Sequence, residues 1–296
     1  MKGRALTLAA AALFCCALWG CAKKEQLKQT AADREWVLSA LGNIEGPEGE
    51  RVFMEVVKRG GELFPLIVDA LEQKDDDVAE AAAGVLGEMK DERAVPHLIR
   101  YLRSGRNRRY AAAWALGEIG DPSSVFPLID ALEDENAGVV KSATRAITKL
   151  GEKTVPVLID ALESGSVRKK EAILIALEDI GDRRAEDAVI SILTGENQRI
   201  LRLRAARALA KCGTDRSVEP LISALKEGDI EMKVACSWSL GILEAQEAEP
   251  VLRALLDHDD TDVREWSARA LEGITGKRVF YRNAKGEMVL PYSLYR

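Results

Sequence analysis

Histidine is scarce in this sequence, since only His97 and His258 occur among 296 residues. They lie in distant parts of the chain, so no histidine pair, metal cluster or Ser/His/Asp set is present at a plausible spacing. A catalytic site needs converging nucleophile, acid and base groups. We therefore expect a protein that is not an enzyme and that binds no metal and no cofactor.

Aromatic residues are also few, at 5% of the sequence, although hydrophobic residues make up 47%. Large rings dominate many protein interiors, so alanine and leucine must fill most of this core. Basic residues are outnumbered by acids, 42 against 48, which gives a formal net charge of −6. A chain of this sign repels phosphate backbones, and we expect no nucleic-acid partner.

The N-terminal apolar run, from Ala5 to Trp19, is too short to span a bilayer, which takes about 20 apolar residues. Lys2 and Arg4 give it a basic start, and Gly20 with Cys21 follows it. This layout predicts an export signal over residues 1–20. A retained apolar anchor is an alternative.

Leu18-Trp19-Gly20-Cys21 resembles the lipobox of bacterial lipoproteins. The resemblance implies cleavage before Cys21 and a lipid on that residue, which would hold the chain to the membrane; an ordinary cleaved signal is the alternative. Ala22 and Lys23 resemble the start of lipoproteins sent to the outer membrane, so we expect a lipid-anchored protein of the bacterial cell envelope that faces the periplasm. Residues 21–32 are polar and predict a flexible tether.

Two landmarks recur at a nearly fixed step along the chain. The first is a segment such as Pro65–Leu71, whose last leucine recurs every 30 to 32 residues at Leu71, Leu102, Leu132, Leu162, Leu193, Leu225 and Leu255. The second is an alanine-rich run such as Ala111–Asp121, whose central apolar residue recurs at Leu86, Leu116, Ile147, Leu177, Leu209, Leu240 and Leu271. A step of this length is typical of proteins built from stacked repeats.

Both landmarks predict helices because their apolar residues recur at spacings of three and four. We name the alanine-rich helix A and the other helix B. We expect Asp121 and Asp182 to cap the helix B that follows each of them. Helix A is expected to end at a glycine with positive φ; these glycines are Gly120, Gly151, Gly181 and Gly213.

The pattern resembles HEAT repeats, in the short form of about 30 residues that occurs in phycobilin lyase proteins. The residues that carry the resemblance are Val263-Arg264, Ala112-Ala113, Ala115-Leu116-Gly117, Ile119-Gly120-Asp121, Val95-Pro96, Leu98-Ile99 and Ala161-Leu162. The resemblance implies an all-α fold, a right-handed α-solenoid of about seven helical pairs over residues 49–276. The A helices would lie outside, and the B helices would line the concave side.

The two ends of such a stack need caps, because an open end would be an apolar patch. Trp36, Val37, Leu38 and Leu41 predict a capping helix over residues 33–48. At the other end, Val279–Tyr281 and Met288–Leu290 flank a turn, so a small hairpin is expected within a C-terminal cap over residues 277–296.

Several conspicuous residues are assigned structural roles. Cys212 and Cys236 take core positions of helix A, so we expect two buried thiols without a disulfide. Trp114, Trp238 and Trp266 are expected to be packing residues, in the core or on the outer surface, rather than stacking platforms for a ligand. Two acidic clusters are expected to cap A helices rather than to bind calcium; their members are Asp75, Asp76, Asp77, Asp257, Asp259, Asp260 and Asp262.

The candidate binding surface is the row of positions two before and one after the last leucine of each helix B, which should point outward. The residues selected there as partner-binding candidates are Asp69, Arg100, Arg103, Asp130, Asp160 and Arg253. Tyr101 is added because sister repeats carry alanine at its place, beside a cluster of arginines formed by Arg103, Arg106, Arg108 and Arg109. The alternative is a solvated rim that binds nothing.

The function predicted from these features is a membrane-tethered scaffold that binds other proteins through its B helices without catalysis. Two alternatives remain open at this point. The resemblance to lyase subunits that attach bilins to proteins would imply a cofactor- or chromophore-handling protein. A passive structural spacer would need no ligand at all.

Overall fold

The structure is a computed structural model that describes residues 30–44 and 46–291. The predicted export signal and the lipidation site Cys21 lie outside the described residues. The chain forms two compact units, which meet in sequence at Ile119 and Gly120. None of the helices within the described ranges is both long and apolar enough to cross a membrane.

The first unit consists of short helices that follow one another through brief turns. They are α1 (described over residues 30–41), α2 (Gly46–Lys58), α3 (Gly60–Leu71), α4 (Asp76–Met89), α5 (Val95–Leu102) and α6 (Tyr110–Ile119). A single 3-10 turn, Glu92–Ala94, joins α4 to α5. Helix α1 lies in the region expected to form the cap: Val37 and Leu41 are buried, and the Arg59 guanidinium lies 4.9 Å from the ring centre of Trp36. Its role as a cap stays a prediction.

The second unit continues the same alternation and ends in a hairpin. Its helices are α7 (Val125–Asp130), α8 (Ala137–Leu150), α9 (Val155–Glu163), α10 (Val167–Ile180), α11 (Glu186–Gly195), α12 (Arg199–Cys212), α13 (Val218–Glu227), α14 (Ile230–Ile242), α15 (Glu249–Ala254) and α16 (Thr261–Thr275). The strands β1 (Tyr281–Arg282) and β2 (Met288–Val289) pair antiparallel, with Tyr281 opposite Val289. The predicted hairpin is confirmed.

The predicted fold class, an all-α solenoid of HEAT-type helical pairs, is confirmed in both units. Even-numbered helices from α4 onward are the A helices, and odd-numbered helices from α3 onward are the B helices. Each B helix packs on the A helix that follows it, and A helices pack on the next A helix within a unit, as α4 does on α6 and α14 on α16. The handedness of the solenoid and the concave position of the B helices stay predictions.

The recurring apolar residues form the core. All seven central residues of the A helices, from Leu86 to Leu271, have no exposed surface. Burial of one such leucine stabilises the fold by roughly 1.5–3 kcal/mol, and because its neighbours come from adjacent repeats, the repeats stabilise one another. Among the last leucines of the B helices, Leu255 is the exception, since it is only half-buried.

The A helices end at all four predicted glycines. Gly120, Gly151 and Gly181 have φ of 78°, 71° and 70°, a region that only glycine enters without strain. Gly213 also follows the last residue of its helix, but the expected positive φ is wrong there, because its φ is −78°. Glycine is needed at this position because a side chain would not fit: an added Cβ would lie 2.4 Å from the Leu209 carbonyl oxygen.

The predicted acidic caps are also present, with one change. Asp75 accepts hydrogen bonds from the amides of Asp77 and Val78 at the start of α4, and Asp260 caps α16 in the same way. Asp121 and Asp182, however, cap the 3-10 turns that lead into α7 and α11 rather than the B helices themselves. The capped turn reverses the chain between helix A and helix B.

A buried carboxylate joins two neighbouring repeats in the second unit. Glu186 begins α11, where most sister repeats have valine, and is 4% exposed. Its Oε1 accepts hydrogen bonds from the Thr214 amide at 2.7 Å, the Thr214 hydroxyl at 2.9 Å and the Ser217 hydroxyl at 2.7 Å. Burial raises the pKa of Glu186, but the hydrogen bonds from Ser217 and Thr214 lower it more, so the net pKa lies below its ordinary value.

Candidate ligand grooves on the A helices

The predicted row on the B helices is exposed as expected. The positions two before and one after the last leucine are all exposed; they are Asp69, Glu72, Arg100, Arg103, Asp130, Glu133, Asp160, Glu163, Ser191, Thr194, Ser223, Lys226 and Arg253. Some of these side chains pair with neighbours, as Arg100 does with Glu72 at 2.7 Å and Arg253 with Glu249 at 2.7 Å. Binding of a partner by this row stays a prediction.

Tyr101 was placed wrongly among the partner-binding candidates, because its side chain is only 4% exposed. It lies under the Arg106 guanidinium, whose carbon is 5.2 Å from the ring centre. Burial raises the pKa of Tyr101 above its ordinary value. A phenol in this position stabilises the junction between repeats and is not available to a partner.

Two of the arginines near Tyr101 bind acids of the preceding repeat. Arg106 Nε donates to Asp76 Oδ1 at 2.9 Å. Arg108 pairs with Asp77 at 2.6 Å and also with Glu80. Arg106 and Arg108 therefore hold the turn after α5 to the acidic start of α4.

The apolar grooves of the second unit lie between A helices, on a surface for which sequence reasoning predicted no binding. Groove 1 lies between α8 and α10 and has a volume of about 510 Å³. Val140, Thr144, Ala172 and Ile175 form its floor. Ligand sites in proteins commonly have volumes of about 300–1,000 Å³ and mainly apolar walls, so groove 1 has the dimensions of a site for a small molecule.

Charged side chains of both signs surround the floor of groove 1. Its cations are Lys141, Arg145 and Arg168, and its acids are Glu135, Glu171 and Asp179. Two of the six are committed to other contacts, because Arg168 donates to the Asp134 carbonyl at 3.0 Å and Glu171 pairs with Arg204 at 3.0 Å. The other four make no hydrogen bond or ion pair within residues 30–44 and 46–291.

Groove 2 lies between α12, α14 and α16 and has a volume of about 500 Å³. Leu203, Ile230, Val234, Trp238 and Trp266 supply its apolar walls. The indoles of Trp238 and Trp266 are half-buried, so they pack between helices as expected and also line this groove. Ile230 at its edge is 47% exposed.

Two of the three charged side chains of groove 2, Arg207 and Glu231, are already paired. The Arg207 guanidinium carbon lies 5.2 Å from the ring centre of Trp238, and Arg207 also pairs with Glu178 at 3.2 Å. Glu231 pairs with Arg199 at 2.7 Å. Arg207 therefore occupies part of groove 2 itself.

The two grooves are repeats of one site. Arg145 and Arg207 both stand two residues before the central apolar residue of their A helix, and so do Ile175 and Trp238. The sequence therefore contained a usable signal, since this one position varies between a cation and a large apolar residue from repeat to repeat. The prediction overlooked it because it assigned binding to the B helices alone.

The remaining candidates for chemistry are not assembled into a site. Cys212 and Cys236 are buried free thiols, as expected, and burial raises the pKa of each to about 12. A thiol that is protonated at neutral pH is a poor nucleophile. Within the described residues, no three His, Cys, Asp or Glu side chains converge in a way that could hold a metal ion.

Comparison with known proteins assigns the class. A family model described as HEAT repeats matches residues 24–112, 106–178, 155–229 and 186–272. The chain belongs to the HEAT-repeat family. Among curated proteins it is similar to the phycocyanobilin lyase subunit alpha of Nostoc sp. strain PCC 7120, with 31% identity over 182 residues, which are 58% of this chain and 59% of that subunit.

Two further similarities cover more of the chain at lower identity. The deoxyhypusine hydroxylase of Cryptococcus neoformans is 28% identical over 282 residues, 89% of this chain and 74% of that enzyme. The solved complex of CpcE and CpcF of phycocyanin lyase from Nostoc sp. PCC7120 aligns with a TM-score of 0.39 and 24% identity, over 72% of this chain and 86% of that one.

These relatives overturn one expectation. The scarcity of histidine and of converging groups predicted a protein that is not an enzyme, whereas the similar curated proteins are named as phycocyanobilin lyase subunits. The prediction is wrong because it searched one chain for a complete catalytic set. A subunit of an assembly need not carry such a set alone.

Proposed function

We propose that the chain is a chromophore-handling protein of the bilin-lyase type, which holds a bilin and presents it to a protein partner. Similarity to phycocyanobilin lyase subunits supports this function. The observation that carries it is the pair of apolar grooves of about 500 Å³ on the A helices. The covered part is 59% of the Nostoc subunit, so the reaction of the whole relative is part of the proposal.

The partner must supply the thiol in this proposal. Cys212 and Cys236 are buried with pKa values near 12, so they do not serve as the attachment point. A partner thiolate would add across an exocyclic carbon–carbon double bond of the bilin, forming a C–S bond, while a proton is taken up at the adjacent carbon. The addition is redox-neutral and needs no further reactant.

Absorption spectroscopy tests this function directly. Titration of the purified chain with phycocyanobilin should shift and strengthen the visible band of the pigment and should saturate at a fixed stoichiometry. Addition of a cysteine-containing peptide should then give a thioether adduct, visible by mass spectrometry, faster than in the absence of the chain. An unchanged pigment spectrum at about 100 μM protein, some hundred-fold above an ordinary micromolar Kd, would refute the proposal.

The cellular setting is a separate proposal. Residues 1–20 and Cys21 are proposed to direct the chain to the bacterial envelope and to attach it by lipid to the outer membrane, because Leu18-Trp19-Gly20-Cys21 resembles a lipobox. Cells fed a labelled fatty acid should incorporate it into the wild-type chain but not into a Cys21→Ser variant. A Cys16→Ser variant is the matched control and should remain labelled, whereas equal labelling of all three would exclude Cys21.

A second candidate function, a scaffold for protein partners, is supported by the exposed row on the B helices. Photo-crosslinking groups at Asp160 and Glu163 in the second unit would test it, with an exposed residue off the row, Lys153, as the control position. Crosslinks to one defined protein from the row alone would support the scaffold. Equal or absent crosslinking would favour a spacer.

A further inference from the structure

Groove 1 carries charged side chains that have no partner within the part of the chain that the structure describes and that a ligand could therefore bind. Lys141 and Arg145 stand four residues apart on α8, so their side chains lie on the same face, with Cβ atoms about 5–6 Å apart. Both are exposed, and neither makes an ion pair or hydrogen bond with any residue of the described ranges. Elsewhere in the second unit, Arg199, Arg204, Arg207 and Arg216 all pair with acids.

The cations border an apolar floor, which defines the class of ligand. Val140 and Ile175 are half-buried, and Thr144 with Ala172 is buried beneath them. The Thr144 hydroxyl is already bonded to the Val140 carbonyl at 2.8 Å, so the floor offers no free hydrogen-bonding group. A molecule that fits this groove has a broad apolar body and carries carboxylates at one edge.

The acids distinguish a tetrapyrrole from a simple fatty acid. Asp179 and Glu135 line the same groove, are exposed and have no partner among the residues that the structure describes. A fatty acid has no donor for them, and its own carboxylate would be repelled by theirs. A linear tetrapyrrole combines carboxylates, which lysine and arginine bind, with pyrrole N–H donors, which a carboxylate accepts.

We infer that groove 1 is the bilin site, in which Lys141 and Arg145 bind the propionate carboxylates and Asp179 accepts hydrogen bonds from pyrrole N–H groups. This inference rests on the proposed function and adds the location and the recognition groups. Groove 2 is not the site, because Arg207 covers Trp238 and is neutralised by Glu178. Arg145 has no ring to cover, since Ile175 takes the place of that tryptophan.

The main test compares two variants that lose equal charge. Lys141→Gln with Arg145→Gln should raise the Kd for phycocyanobilin about tenfold, equivalent to about 1.4 kcal/mol, which is the scale of two partly exposed ion pairs. Lys153→Gln with Lys277→Gln removes two exposed cations elsewhere in the second unit and should leave the Kd unchanged. The dimethyl ester of phycocyanobilin should bind the wild-type chain and the groove variant equally.

Two single substitutions test the floor and the acid. Ile175→Trp copies the residue that α14 carries at the same place, so the fold should tolerate it, and circular dichroism checks that it does. The added ring should fill groove 1 and abolish binding of the pigment. Asp179→Asn should weaken binding of phycocyanobilin but strengthen binding of palmitate, which carries a carboxylate and no N–H donor.

The outcomes separate this inference from the proposed function. Suppose that the wild-type chain binds phycocyanobilin and that the Lys141→Gln/Arg145→Gln and Ile175→Trp variants bind it equally well. The pigment then lies elsewhere, and the inference is refuted while the function stands. If the wild-type chain binds no pigment, the function itself fails. If palmitate binds as tightly as phycocyanobilin, the groove accepts any anionic amphiphile and the role given to Asp179 is wrong.

Discussion

Glu186 offers the sharpest test of how neighbouring repeats hold together. Its carboxylate accepts three hydrogen bonds from Thr214 and Ser217, which belong to the next repeat. Glu186→Ala removes the acceptor and leaves the Thr214 amide and two hydroxyls without it.

The loss in free energy of unfolding caused by Glu186→Ala follows from the number of these hydrogen bonds and from the charge of their acceptor. A hydrogen bond to an ionised group contributes about 1.5–3 kcal/mol, and an orphaned buried donor costs about 1–3 kcal/mol. Because the two hydroxyls can turn toward other acceptors, we expect a loss of about 3 kcal/mol rather than the full sum. A triple variant, Glu186→Val with Thr214→Asp and Ser217→Ala, copies the junction formed by Val155, Asp182 and Ala185 and should recover most of this loss.

Urea denaturation followed by circular dichroism and tryptophan fluorescence measures the effect. The folded pKa of Glu186 is lowered, so its contribution is fully present above the unfolded value of about 4.3 and is lost as the pH falls through the folded pKa. Wild type and Glu186→Gln should therefore differ most near pH 7 and converge as the pH falls through the lowered folded pKa of Glu186. A difference that is absent at pH 7, or independent of pH, would refute the role of the ionised carboxylate.

Three further predictions concern packing and reactivity. Gly241→Ala should destabilise the chain by about 1–3 kcal/mol in a urea titration, because the added Cβ would lie 2.8 Å from a backbone atom of α16. Gly61→Ala is the control: its Cβ would have open space around it, so it should be neutral or stabilising. Cys212 and Cys236, whose pKa is raised to about 12, should react with a thiol reagent at pH 8 only after unfolding, and rapid labelling of the native chain would contradict their burial. Arg106→Gln should lower the free energy of unfolding by about 1–2 kcal/mol through loss of its ion pair and its stacking contact, which appears as a lower urea midpoint. A neutral result would mean that water replaces both contacts.

The architecture could be predicted from the sequence because every repeat carries the same pattern of apolar and turn residues. The central leucines, the capping aspartates and the hairpin around Asn283–Gly286 depend on local spacing and turn chemistry, which one repeat is long enough to contain. Tyr101 shows the limit of the same argument. Two of its sister positions, Ala70 and Ala131, are buried, whereas Ala161 is half-buried and Ala254 is exposed, so the repeat alone did not determine where this side chain lies.

Features that depend on two neighbouring repeats were harder to predict. Glu186 finds its partners 28 and 31 residues further along the chain, and no local pattern connects them. Groove 1 likewise needs the facing surfaces of α8 and α10 at once. A sequence pattern shows which face of each helix is apolar, but it does not show how far apart two such faces stand or which charges meet across them.

Divergence between equivalent positions is therefore the most informative property of this chain. Within the second unit the backbone forms equivalent grooves at two places between A helices, so a difference in side chains is what can make one groove a site and another merely a surface. At groove 2, Trp238 and Glu178 satisfy the arginine that the repeat places there, and a ligand would have to displace both. At groove 1 Ile175 takes the place of the tryptophan, Arg145 makes no ion pair within the described residues, and Lys141 adds a second cation. Since an unpaired charge at the edge of an apolar floor gains most from a counter-charge that arrives with an apolar body, selectivity can arise here without any change in the fold.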